Sequence, residues 1–253
     1  TATGLNAADS ITGITYTYTG TGATSYGPST TAPTAAGTYA ITPSAVVFAS
    51  AGSAAKYSTI TYTPGSFTIS KRALTVTPTN QNIVYGATAA ISFGVTGFAG
   101  SESAATAAGY VAPSCVVSTY SVTSNAGTTH LITCSGGSAT NYTFTTTAIA
   151  TATVTKATLT VTPDAKSVTY GDAAPTLTFS VNGFRNSQSA STAASYIAPT
   201  CSSSYTRTSV AGTPVTISCS GGSATNYIFD NSTAASITIA KISTLTITAG
   251  SPS

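Results

Sequence analysis

The sequence predicts a mainly β protein made of tandem small modules, and three observations carry that expectation. A stretch of residues recurs at a fixed step, each recurrence alternates apolar and polar positions, and cysteines occur as one pair per complete repeat. Each module is expected to be an Ig-like sandwich, or a β-grasp-like unit if its Ser/Ala-rich run forms a short helix.

The repeat is the firmest of the three. CSGGSATNY occurs unchanged at Cys134–Tyr142 and at Cys219–Tyr227, 85 residues apart. Tyr85-Gly86 returns as Tyr170-Gly171, and Lys71, Lys156 and Lys241 keep the same step, as do Tyr57, Tyr142 and Tyr227. Self-similarity at such a period marks a repeat architecture, in which each copy is one structural unit. The reading is a truncated first module over residues 1–72, a second over 73–157, a third over 158–243, and an opening strand of a fourth over 244–253. Each of the complete modules is long enough to hold a small core of its own.

Within a module, Leu74-Thr-Val76-Thr77 alternates apolar and polar residues and reads as a half-buried strand. Pro78, a polar turn and Tyr85-Gly86 punctuate it. Ile91–Val95 reads as the second strand, with Leu177–Val181 as its counterpart. Ser101–Ala108 and Ser187–Ala194 are rich in Ala and poor in β-branched residues, which predicts a short helix with Ser101 and Glu102 at its N-terminus. Strands over Tyr110–Val117 and Leu131–Cys134 bracket the first cysteine pair. A last strand runs from Tyr142 to Lys156 with an interruption near Ala148. Lys156 leads directly into Leu159, so no flexible linker is expected between modules, and a stiff array follows.

Cys115 and Cys134 lie in the second module, Cys201 and Cys219 in the third, and the truncated first module has none. Residues that are present or absent as a pair behave as a bond. Metal ligation would call for CxxC-type spacing with further His or Cys. Two intramodule disulfides are therefore expected, in an oxidising extracellular setting. Each closes a loop whose cross-linking is worth about 3 kcal/mol on the chain-entropy model.

Composition excludes several functions. Charged residues make up 5% of the 253 residues, against roughly 25% in an ordinary soluble domain. The net charge of +3 comes from scattered basic residues rather than the stripe a nucleic-acid binder presents. No apolar run approaches the length of about 20 residues that a membrane-spanning helix needs. The absence of Met and of a signal peptide suggests a mature or excerpted piece of a longer chain.

Chemistry-bearing residues are few. His130 is the single histidine, its counterpart is Val215, and it has no nucleophile and acid beside it to make a general base. Asp9, Glu102, Asp164, Asp172 and Asp230 are scattered, whereas a calcium loop would gather several carboxylates and a glycosidase would need a matched pair. Lys71, Lys156 and Lys241 read as solvated junction lysines, since a Lys-Asn isopeptide bond would need a nearby acid. The 14 tyrosines mostly recur with the module, as core or cross-strand residues do, although exposed ones would suit glycans or a host surface. Asn141-Tyr-Thr143 and Asn231-Ser-Thr233 fit the N-glycosylation pattern. No catalytic residue, metal or cofactor is expected.

The two ends are partly complementary. Thr3–Ser10 matches Thr96–Ser103, so the first module starts in its middle and lacks its first two strands. Thr244, Leu245, Thr246, Ile247 and Thr248 repeat the opening strand. Either the chain is an excerpt of a longer array, or this segment is a donor strand that adds to the open first module of a neighbouring copy, closing a bare sheet edge.

Leu74–Pro78, Tyr85-Gly86, Phe93–Phe98 and Asn141-Tyr142, with their counterparts 85 or 86 residues on, resemble the MBG-type repeats of the YGX kind. The resemblance covers two full modules and the later half of the first. It implies a stalk or fibre segment of a bacterial cell-surface adhesin, with other copies of the module as partners, and it supplies no catalytic or ligand-binding residue. A self-assembling filament joined by strand exchange is the alternative.

Overall fold

The structure, a computed structural model, describes residues 1–250. It is nearly all strand: β1 (Ile11–Gly20), β2 (Gly37–Phe48), β3 (Gly65–Ile69), β4 (Arg72–Pro78), β5 (Gln81–Val84), β6 (Phe93–Thr96), β7 (Ser114–Val117), β8 (Thr129–Ser135), β9 (Tyr142–Thr145), β10 (Ala150–Thr155), β11 (Ala157–Pro163), β12 (Lys166–Thr169), β13 (Phe179–Asn182), β14 (Ile197–Ser203), β15 (Val215–Ser223), β16 (Tyr227–Asp230) and β17 (Ala234–Ala240). One 3-10 turn, Ser53–Lys56, breaks the pattern.

Each complete module contributes two sheets. In the second module they run β6-β4-β9 and β5-β10-β8-β7; in the third, β13-β11-β16 and β12-β17-β15-β14. The opening strand is the centre of the first sheet. It pairs antiparallel with the second strand after it (β4 with β6, β11 with β13) and parallel with the distant Tyr-containing strand, placing Leu74 opposite Phe144 and Leu159 opposite Phe229. Central position accounts for the alternation in the sequence: Leu74 and Val76, like Leu159 and Val161, are fully buried, with threonines between them on the other face.

Two sequence expectations are corrected. The Ser/Ala runs 101–108 and 187–194 are not helical, so the β-grasp alternative loses its condition. Each holds a single turn, in which the Ala107 N–H donates to the Ser103 carbonyl and Ala193 to Ser189, both at 2.9 Å. So few residues do not cover the cost of helix nucleation, and the chain leaves the turn at once. The segment read as a polar turn after Pro78 contains β5, which pairs parallel with β10, Ile83 opposite Val154. Its counterpart β12 pairs with β17 in the same way.

The compact units of the chain are offset from the repeat. One comprises Thr1–Pro78, Phe93–Cys115 and Thr133–Ala148; the other comprises Thr79–Ser92, Val116–Ile132 and the chain from Ile149 onwards. The division falls inside β7 and β8. In the first unit, Leu74, Ala107, Ala139 and Tyr142 form a core with Val95, Phe98, Tyr110 and Phe144 packed against it. Among the described residues, the second unit holds a core within the third module and a core shared between repeats. Tyr205, Ile217, Ile237 and Ile239 belong wholly to the third module. The other joins Tyr85 and Val154 of the second module to Leu159, Ala193, Ala224 and Tyr227 of the third. Each complete module thus has a core of its own, as expected, and at this boundary a further core serves two repeats. The physical reason is that a sheet of three short strands buries too little apolar surface alone and needs a second layer.

Candidate functional site

The feature built most carefully from repeated residues is the junction between consecutive modules, and it occurs twice. Its centre is the Asn of the Asn-Tyr pair. The carbonyl of Asn141 accepts from the Arg72 N–H at 2.9 Å, and that of Asn226 from the Ala157 N–H at 3.0 Å, locking the opening strand of their own module. Their side chains reach the preceding module. The Ala36 N–H donates to Asn141 Oδ1 at 2.9 Å, and the Ala126 N–H donates to Asn226 Oδ1 at 2.8 Å. Asn226, which is buried, also donates through Nδ2 to Asn125 Oδ1 at 3.0 Å.

The accepting segment has the same sequence each time, Ala36-Gly37-Thr38, Ala126-Gly127-Thr128 and Ala211-Gly212-Thr213, with Gly37 opening β2 and the other two glycines in turns. Gly127 (φ 90°) and Gly212 (φ 89°) occupy the left-handed region that favours glycine. Their N–H groups donate to the Val154 and Ile239 carbonyls at 2.8 and 2.9 Å. The loop therefore turns the alanine N–H outward by its own backbone bonds.

The lysines at the repeat step are part of the same junction. Lys71 Nζ donates to the Ala139 carbonyl and Lys156 Nζ to the Ala224 carbonyl, each at 3.1 Å and each bond partly buried. Both lysines are exposed, as expected of solvated junction residues, and each adds this one bond to a carbonyl 68 residues on. Aromatic rings complete the contact: Tyr85 meets Tyr227 edge to face at 5.5 Å, and Phe184 packs on Tyr227 at 5.6 Å. Burial pushes the Tyr227 hydroxyl above its usual pKa. A Cβ on Gly86 would stand 2.5 Å from Arg185 Cβ, so the third module covers Gly86 directly.

Asn226→Ala is expected to destabilise the second unit by about 1–3 kcal/mol, the cost of leaving a buried donor unpaired. Asn125→Ala should cost less, because it removes one of the two side-chain bonds of Asn226 and leaves the Ala126 contact in place. Urea melts of the two variants check the order.

A second repeated device holds each module's tyrosine hydroxyl. Backbone N–H groups of Asn6, Ala99 and Arg185 donate to the hydroxyls of Tyr57, Tyr142 and Tyr227 at 3.0, 2.9 and 3.0 Å. The three hydroxyls in turn donate to Asp9, Glu102 and Gln188. Asp9, read from the sequence as one of several scattered acids, is buried and also accepts from Lys56 Nζ and Ser53 Oγ at 3.0 and 2.8 Å. The Lys56 ammonium first, and the Ser53 hydroxyl next, hold its carboxyl below the usual carboxylate range against the opposing effect of burial. A carboxylate lowered by folding contributes stability above its unfolded pKa of about 3.9, and that contribution is lost as pH falls through the lower folded value. Asp9→Asn should therefore flatten the acid limb of the first module's stability, followed by the Tyr57 ring resonances on titration.

The remaining sequence candidates are not gathered into a site. His130 bonds to the Thr119 and Thr128 hydroxyls and stacks edge to face on Tyr120. No group of three or more His, Cys, Asp or Glu side chains suited to a metal occurs among the described residues. Cys115 is bonded to Cys134 and Cys201 to Cys219, each within one module and each joining neighbouring strands at a sheet edge. Asn141 of the first glycosylation pattern is engaged at the junction, and Asn231 of the second donates to the Gly221 carbonyl at 3.0 Å. Tyr142, Tyr205 and Tyr227 are buried core residues. Thr244–Thr248 forms no strand; Leu245 and Ile247 are 85% and 86% exposed.

The junction itself was missed in the sequence, although its signal was there: Asn141 and Asn226, the lysines, and the Ala-Gly-Thr tripeptides all keep the repeat. No curated protein matches the chain, and no solved structure does. The family model for the MBG domain (YGX type) matches residues 74–153 and 159–237, more than half of the chain. With two tandem copies of that domain in register with the repeated sheets and junctions, the chain belongs to the MBG domain (YGX type) family.

Proposed function

We propose that the chain is a structural stalk or fibre segment of a bacterial cell-surface adhesin, in which the repeats set reach and resist bending. The observation that carries this reading is the core shared by Tyr85, Val154, Leu159 and Tyr227. A junction filled by side chains from both repeats resists rotation, whereas a polar linker would leave the modules free to swivel. The two disulfides suit an oxidising, extracellular location, and tandem MBG domains suit a repeat-containing surface protein.

Force spectroscopy of the chain tests this. Stretching should give few, high-force unfolding events, and reduction should lengthen the released chain by about 60 Å per disulfide at ~3.5 Å per residue. Free extension at low force, with no cooperative events, would rule the stalk reading out.

A second reading, strand exchange between copies, has one observation in its favour. The first module has an open groove of about 450 Å³ lined by Leu5, Ile14, Tyr16, Phe48, Tyr57 and Ile60 among others, and Leu245 and Ile247 are exposed. Concentration-dependent ladders that disappear when Thr244–Thr248 is deleted would support it, and a monomer at every concentration would remove it.

A further inference from the structure

The third module presents, uncovered, the same surface that the second module has buried. Position by position, Tyr170 corresponds to Tyr85, Gly171 to Gly86, Ala211 to Ala126, Ile239 to Val154 and Lys241 to Lys156. Tyr85 is 3% exposed and Tyr170 42%. A Cβ on Gly86 would collide with Arg185, whereas one on Gly171 would meet nothing within 4 Å. The Ala126 N–H has Asn226 Oδ1 as its partner.

This surface is preformed. Gly212 donates to the Ile239 carbonyl as Gly127 does to Val154. The Tyr205 hydroxyl donates to the Asp172 carbonyl at 3.0 Å, as Tyr120 does to Ala87. A shallow depression lined by Tyr170, Thr208, Val210, Ala211, Lys241 and Ile242 marks the spot. Val210 and Ile242 are 69% and 59% exposed there.

We infer that this end of the third module is the receptor for the first sheet of a following MBG module of the same type. The docked module would enter along Ile242–Thr248, whose Leu245 and Ile247 match the buried Leu159 and Val161. Its Asn-Tyr pair would deliver an asparagine Oδ1 to the Ala211 N–H and a tyrosine ring to Tyr170. Its carbonyl at the Ala224 position would accept from Lys241 Nζ. The asparagine would lack the second partner that Asn125 provides, since Val210 stands there; the first junction works with Ala35 in that place. The inference deepens the stalk reading by naming the contact that continues the array.

The test extends the chain by one repeat, a copy of Leu159–Ser243 placed directly after Thr244. The expected result is slower hydrogen exchange at the Ala211 amide, by at least about tenfold. Nitration of Tyr170 by tetranitromethane should fall to the level of Tyr85. Asn→Ala at the copied Asn226 should release the Ala211 amide while the copied disulfide still forms. Unchanged exchange and nitration in a chain whose added repeat is folded, shown by that disulfide and by dispersed amide resonances, would overturn the inference. Tyr170 becoming protected in the unextended chain as concentration rises would also overturn it, by making a second copy the occupant. Low resistance to force with a docked repeat would instead count against the stalk reading alone.

Discussion

Leu159→Ala is expected to cost about 2–5 kcal/mol, the range for emptying a fully buried leucine site, and to loosen two repeats at once. Leu159 is wholly buried in the core that also holds Tyr85 and Val154. Native-state hydrogen exchange reads this out. In the parent chain, the slowest amides of β10 and β11 should exchange with one common opening free energy, and in the variant both should fall together. Ile237→Ala is the comparison. Ile237 is equally buried, but its core neighbours Tyr205, Ile217 and Ile239 all lie in the third module. It should lower protection in β15 and β17 and leave β10 nearly untouched. Independent responses of β10 and β11 to Leu159→Ala would show that the shared core does not act cooperatively.

Removing a disulfide should have an effect of similar size. Cys201 and Cys219 stand directly opposite each other on β14 and β15, 18 residues apart in sequence. A loop of that length contributes about 3 kcal/mol through the unfolded chain. Cys219 is buried next to the third module's core, and Cys201 packs against that core. The double substitution Cys201→Ser with Cys219→Ser should therefore lower the urea midpoint of the second unit strongly. Cys201→Ala with Cys219→Ala should be somewhat milder, because it buries no hydroxyl. Cys115 and Cys134 are 19 residues apart, and their removal should have a comparable effect on the second module. Equal midpoints with and without reductant would show that these bonds do not hold the native state.

The repeat, the strand character and the alternation of Leu74-Thr-Val76 could be read directly, because a half-buried strand imposes a period of two on its own residues. β5 could not. Gln81-Asn-Ile-Val is an edge strand of four residues with one buried side chain, Ile83, and its identity comes from β10, some 70 residues away. The Ser/Ala runs misled for a related reason. Alanine favours helix weakly, and that preference cannot act over so short a segment between two fixed strands. The junction was illegible in another way. Asn226 looks like any loop asparagine until the fold places the Ala126 N–H, 100 residues away in the chain, beside its Oδ1. Lys156 is exposed, and its bond to the Ala224 carbonyl, 68 residues on, has no local signature. Contacts of such long range leave their trace only in what recurs, not in local pattern.

The offset between the repeat and the core at Tyr85, Val154 and Leu159 has a consequence for how such a chain can lengthen or shorten. A gene segment of one full period can be duplicated or lost with its ends anywhere in the period, and every layer still finds its complement. An insertion of half a period would instead set like sheets against like, with no asparagine for the waiting amide. Growth is thereby quantised in whole periods but indifferent to phase, so the evolutionary unit and the folding unit have no need to share a boundary.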